Sequence, residues 1–230
     1  MNFSRQVNPL LISFYINNSK ICTVDCVKDL GVYLDTKLSY NLHIDHIVSR
    51  ANKLLGFILR TTRSFSSIHC VRILYVALIR PIIEYCSVIW APFYQIHIDR
   101  LERIQRKFLK HLCYKFGTYY ESSNYYQLLA HFSLQPPSQK RHFSDAVFFF
   151  KVFNNIIKCV QIADLFALYI PSRTLRLTPL LAVEYHKTNY GLNSSLCRVE
   201  NLVNRLGLNE DRLNCGLYSF KSRLRELLYR

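Results

Sequence analysis

The sequence predicts an α+β chain, mainly α: a short three-stranded antiparallel sheet, then a helical bundle, then a loosely packed C-terminal helical region. Three observations lead there. Residues 10–35, LLISFYINNSKICTVDCVKDLGVYLD, hold apolar and β-branched runs separated by the turn residues Asn17-Asn18-Ser19 and Lys28-Asp29. From Leu42 the apolar residues switch to helical spacing. After Cys159 that spacing weakens, because short apolar pieces are broken by Pro171, Pro179, Gly191 and Gly207.

Each element follows in order. Leu30, Val32 and Leu34 alternate with Gly31, Tyr33 and Asp35, so the last strand turns one face to a core and leaves the other open. Ile44, Ile47, Val48, Ala51, Leu54, Leu55 and Ile58 keep the i, i+3, i+4, i+7 rule, which predicts a long amphipathic helix with Arg50, Lys53, Arg60 and Arg63 on its other side. A second helix covers about Ile68 to Leu78, kinks at Pro81 and resumes through Ile82 to Trp90 until Pro92 stops it. A third runs from about Ile98 to Tyr114 on the stripe Leu101, Ile104, Phe108 and Leu112. Its remaining positions hold Arg100, Arg103, Arg106, Lys107 and Lys110 against Asp99 and Glu102. Further helices are expected at Ser122 to Phe132 and Pro137 to Ile157, with Pro137 in a first turn, and a last one at Leu217 to Leu228.

Composition narrows the partners. The 230 residues carry 30 Lys and Arg against 15 Asp and Glu, a net charge of +15 that calls for a polyanion, nucleic acid ahead of an anionic membrane. A basic surface that only confers solubility is the plain alternative. The eight cysteines are scattered without a CxxC pair, which points to reduced thiols in an intracellular compartment. Cys22 and Cys26 lack a second ligand pair at zinc-site spacing, so no metal site is expected. No signal-peptide pattern and no run of some 18 apolar residues occurs, so neither secretion nor membrane insertion is expected.

Single polar residues carry no chemistry at this level. His43 and His46 stand at i, i+3 without an acidic partner and read as capping or surface positions. Asp45 and Asp99 near helix starts read as complements to the helix dipole. Trp90, Tyr85 and Phe148 to Phe150 have apolar neighbours, so core packing is expected before base stacking.

The segment VKDLGVYLD (27–35), followed by LSYNLHIDHIVSRANKLLGFILR (38–60), resembles the junction of palm and thumb in reverse transcriptases of non-LTR (LINE-type) retrotransposons. The matching positions are Lys28, Asp29, Leu30, Gly31 and Val32, then His43, Ile44, Ala51, Leu55, Gly56 and Arg60. The likeness continues through LYVALIRPIIEYCSVIWAPFY (74–94) and RLERIQRKFLK (100–110), on Leu74, Tyr75, Arg80, Pro81, Glu84, Tyr85, Trp90, Pro92, Glu102 and Gln105. YYQLLAHFSL (125–134) and KRHFSDAVFFFKVFNN (140–155) resemble the stretch after the thumb. HKTNYGLNSSLCRVENLVN (186–204) is similar to the terminal segment, with Ser195 where the family usually has Pro.

The resemblance implies a palm remnant with primer-grip-like strands at 1–36, a thumb-like helical bundle at 37–118, a post-thumb helical region at 119–160 and an irregular C-terminal region with a terminal helix at 161–230. It implies that Lys28, Leu30 and Gly31 approach the primer and that the thumb cations contact the product duplex. The family's Tyr-x-Asp-Asp turn does not occur in this sequence. Polymerisation needs carboxylates that converge on paired divalent metals, so the expectation is a segment of an RNA-directed DNA polymerase that does not polymerise alone. The opening MNFSR resembles residues just downstream of the catalytic hairpin. No cofactor is expected in this chain, with Mg confined to the intact polymerase. The implied partners are a primer-template duplex of RNA and DNA and the palm and fingers of the same polyprotein, with no membrane. The implied location is intracellular, and nuclear for the intact element. A stand-alone basic helical module that binds nucleic acid or a protein is the other reading, and a purely structural helical scaffold is a third.

Overall fold

The structure is a computed structural model that describes residues 1–6, 13–117, 125–171 and 178–229. The fold is mainly helical, with two small antiparallel hairpins in place of the expected three-stranded sheet. Strand β1 (Tyr15–Ile16) pairs with β2 (Ser19–Lys20), and β3 (Cys26–Asp29) pairs with β4 (Val32–Asp35). Both hairpins close through two-residue turns whose central residues have positive φ: Asn17 and Asn18 at 48° and 60°, Leu30 and Gly31 at 42° and 88°. Turns of this hand suit the strand twist and close each hairpin on itself, and among the described residues no strand joins the two. The expected strand role of Leu30 is thereby corrected: it is a turn residue, 83% exposed. Val32 is buried and Leu34 packs partly against the core, as the alternation requires. Residues 10–12 of the expected sheet lie outside the described residues.

Helix α1 (Asn41–Thr61) buries Ile44, Ile47, Ala51, Leu55 and Ile58, the stripe that the spacing predicts. The kinked second helix proves to be α2 (Ile68–Leu74), a π turn (Tyr75–Ile79), α3 (Arg80–Glu84) and α4 (Ser87–Trp90). The cause is Pro81. It has no N–H to give to the carbonyl four residues back, and the preceding turn widens until Arg80 N–H reaches Tyr75 O, five residues away. Cys86, with φ of 52°, separates α3 from α4.

Helix α5 (Gln95–Phe116) starts a turn earlier than its stripe indicates and ends at Gly117, whose φ of 67° lets its N–H donate to Cys113 O. Helix α6 (Tyr125–His131) follows; its expected start at Ser122 lies outside the described residues. One core is built from β4, α1 to α6 and Leu134, with Tyr75 stacked on Phe108 at 4.0 Å.

The second core corrects the expectation of a loosely packed tail. Helix α7 (Pro137–Phe153) supplies Phe149 and Phe150, and around them pack Leu181, Val199, Leu202, Val203, Leu213, Phe220 and Leu224. These come from segments around the short α8 (Val160–Ala163), α9 (Asn189–Leu192) and α11 (Glu210–Leu213), and from α10 (Ser195–Arg205) and α12 (Leu217–Leu228). Helix α10 is the element that spacing after Cys159 did not announce, and three of its apolar residues, Val199, Leu202 and Val203, face this core. Ser194 caps it through its hydroxyl, which accepts from Cys197 N–H. Ser195 occupies the first helical position, where a proline is also tolerated, and donates to Ile89 O at 3.1 Å.

Candidate nucleic-acid interface

Helices α1 and α5 are direct neighbours, and three contacts between them set their direction. Arg100 pairs with Asp45 at 2.6 Å, Lys107 Nζ donates to Asn52 Oδ1 at 3.4 Å, and Lys115 Nζ donates to Thr62 O. Positions rise together along both helices, so the two run parallel. At 1.5 Å per residue each is about 32 Å long, which makes a two-helix face of corresponding length.

The wheel positions decide which cations share that face. Asn52 and Lys107 mark the seam, and at about 100° per residue Lys53 and Arg60 lie about 80–100° round α1, opposite its core residues Ala51 and Ile58. Arg103 and Lys110 lie about 40–60° round α5, opposite Leu101, Phe108 and Leu112. Both sets therefore turn to solvent on the same side. All of Lys53, Arg60, Arg103, Lys107 and Lys110 are exposed, and none belongs to an ion pair among the described residues.

The remaining expected contacts sit at the margins. Arg50 is turned further round α1, away from α5 and towards β3–β4, beside His46 and Lys53 in a shallow depression. Arg106 is turned the other way, its guanidinium 4.9 Å from the Tyr125 ring. Arg63 is exposed but lies in the turn beyond the end of α1. Arg100 is partly covered and engaged by Asp45. Lys28 is exposed on β3, its ammonium 5.3 Å from the Tyr33 ring. Leu30 and Gly31 project at the hairpin tip, where the Tyr85 hydroxyl donates to Leu30 O at 2.9 Å.

That hairpin is fixed against α1 by His43. Its Nδ1 accepts from Tyr33 N–H at 3.4 Å, and its ring meets Trp90 edge-on at 5.1 Å. His43 is buried, not a capping or surface residue, and burial with His46 nearby pushes its pKa down to about 4. Asp45 and Asp99 also differ from expectation. Neither lies in a first helical turn: Asp45 pairs with Arg100, and Asp99 accepts from Gln95 Nε2 at 2.8 Å. Tyr85, expected in the core, is 54% exposed, whereas Trp90 is buried with its Nε1 donating to Tyr85 O at 2.6 Å.

Tyr114 belongs to the same surface and Lys115 to the seam beside it, and neither was among the expected contacts. Lys115, partly buried and about 80° round α5 from Lys107 towards the core stripe, satisfies a carbonyl at the end of α1. Tyr114 is 90% exposed near Lys110.

Several residues that carry the family resemblance are structural. Glu102 accepts from Tyr125 OH at 2.9 Å and from Ser138 N–H at 3.0 Å, so a buried carboxylate of α5 holds the start of α7. Gln105 accepts from Tyr75 OH and donates to Gln135 O at 3.0 Å, and Arg80 donates to the same carbonyl at 2.9 Å while pairing with Glu84. The two cores are further joined by Arg198 of α10, which reaches Asp145 of α7 and Val88 O of α4.

Among the described residues no group of three or more His, Cys, Asp and Glu could hold a metal ion, and no helix is long and apolar enough to cross a membrane. No protein-family model, curated protein or solved structure matches this chain.

Proposed function

We propose that this chain is a segment of an RNA-directed DNA polymerase of the non-LTR retrotransposon type, and that it holds the primer-template duplex along α1 and α5. The observation that carries the reading is the exposed row Lys53, Arg60, Arg103, Lys107 and Lys110, free of ion pairs among the described residues, on one side of two parallel helices. Such cations contact phosphates and displace counterions without reading base sequence. Seven residues separate Lys53 from Arg60 and Arg103 from Lys110, about 10 Å of helix, or roughly three phosphates along one strand. Lys28 and the Leu30–Gly31 turn flank the same helix and approach the primer end. Arg50 and Arg106 extend the contact at its margins. The metal-dependent step is assigned to palm and fingers of the same polyprotein, with Mg bound there.

The reading is tested by titrating RNA–DNA and DNA–DNA duplexes with the purified chain at a series of salt concentrations. Neutralising some four to six phosphates gives a log-log slope of about −3 to −5. Binding that ignores salt, or an absence of duplex binding at low salt, overturns the proposal. Salt-dependent binding without any effect of joining the chain to a palm and fingers favours the stand-alone basic module instead.

A further inference from the structure

The π turn of Tyr75–Ile79 shapes a second site, away from the cationic helices. Val71, Tyr75, Ile79 and Ile83 turn inward to α1 and α5, which leaves Arg72, Ile73 and Val76 on the opposite side of that layer. There they border a cavity of about 690 Å³, a size typical of pockets that take a compact ligand. Its far wall comes from Leu134 and from Lys140 at the start of α7.

Charge and apolar surface converge in this cavity. Arg80 and Glu84 neutralise one another at 2.5 Å, while Arg80 Nη2 is buried without a partner. Among the described residues that leaves Arg72 and Lys140 without an ion-pair partner. Arg72 spends only Nη1, on Ser133 O and Phe132 O. The half-buried Lys140 ammonium has no hydrogen-bond or ion-pair partner among the described residues, and it stands 5.0 Å from the Phe143 ring. Burial lowers its pKa, with Arg80, Arg225 and Lys221 adding to the effect against Glu84 alone. A partly desolvated ammonium in such a setting gains from a carboxylate or other anion. Beside it Ile73 and Val76 remain 47% and 41% exposed, an apolar wall that a phosphate backbone would leave uncovered.

We propose that this cavity binds an acidic peptide segment of a protein partner, with a carboxylate between Arg72 and Lys140 and a neighbouring apolar side chain against Val76 and Leu134. A peptide that alternates acidic and apolar residues matches both halves of the cavity. Nucleic acid matches only the cations, and Glu84 repels a continuous run of phosphates.

The test is calorimetric titration of the full chain with a short acetylated peptide amide of alternating glutamate and leucine, beside its glutamine-leucine counterpart and inorganic phosphate. The glutamate peptide is expected to bind one to one, and Lys140→Gln, Val76→Asp or the glutamine peptide each weaken it about tenfold. Lys53→Gln and Lys107→Gln leave it unchanged. Circular dichroism of each variant separates lost binding from lost fold, and Arg72→Gln, at a partly exposed position, repeats the measurement if Val76→Asp unfolds. No binding of the glutamate peptide overturns the proposal. So does weakening by the Lys53 and Lys107 variants alone, which marks attraction to the cationic helices. Phosphate competing as well as peptide, with Val76→Asp without effect, reduces the cavity to a simple anion site and also overturns it.

Discussion

Lys107 Nζ reaches Asn52 Oδ1 across the seam between α1 and α5, 3.4 Å away, and so ties a cation of one helix to the other at the middle of their shared face. The bridge is exposed, which makes it a weak contributor to stability. Its consequence is positional: Lys107 stands beside Lys53 instead of pointing down the side of α5.

If that face binds duplex, Lys53→Gln and Lys107→Gln should each reduce the salt slope by about 1 and weaken RNA–DNA and DNA–DNA duplexes alike. Thermal melting should stay close to that of the parent chain, because both side chains are exposed. Duplex binding by anisotropy across a salt series provides the measurement. Unchanged slopes in both variants contradict the shared face.

Acid should destabilise the chain through His43. Its folded pKa of about 4 lies below the ordinary imidazole value of 6.5, so the unfolded chain binds the proton first. Stability is full above about pH 6.5 and falls as pH drops towards 4, by on the order of 3 kcal/mol for this group. Protonation also places a donor where Nδ1 now accepts from Tyr33 N–H. His43→Gln keeps an acceptor without the titration, and urea melts between pH 7 and 4 should lose less stability in this variant than in the parent.

Glu102→Ala should cost about 2–3 kcal/mol, because it leaves Tyr125 OH and Ser138 N–H without their buried acceptor. The loss should appear as faster hydrogen exchange at the first turn of α7. Faster exchange confined to α5 in place of that response would argue against the junction.

Tyr85→Phe removes the hydrogen bond to Leu30 O and should cost about 1 kcal/mol or less, since the hydroxyl site is exposed. Gly31→Ala should cost more, about 1–2 kcal/mol, because φ of 88° is strained for alanine and its Cβ would stand 3.4 Å from the Tyr85 ring. Hydrogen exchange at Asp29 and Val32 reads out both variants. Equal protection in both would mean that the turn is held by other contacts.

Much of the helical architecture is legible in the residues themselves. The stripe from Ile44 to Ile58 and the one from Leu101 to Leu112 specify α1 and α5, because a repeat near 3.6 residues is a local property that adjacent turns reinforce. The excess of cations on their outer positions is equally visible. The sheet is not legible in this way, because both Asn17-Asn18 and Leu30-Gly31 make tight turns, and the apolar residues between the hairpins look like a strand without pairing as one. The C-terminal core is hidden from periodicity because its elements are short. Leu181, Leu202, Leu213 and Phe220 meet around Phe150 only after the chain has turned several times, and no periodicity spans such breaks.

By itself, then, the sequence determined the long helices, their basic outer positions and the proline that widens the turn before α3. Tertiary structure decided that α1 and α5 lie parallel with Lys53 beside Lys107, that Glu102 and Gln105 clamp the start of α7, and that Arg72 and Lys140 border one cavity. The reason is range: a helix repeat is set by residues three or four apart, whereas each of these arrangements joins side chains some 30 to 70 positions apart, whose meeting depends on how whole elements pack.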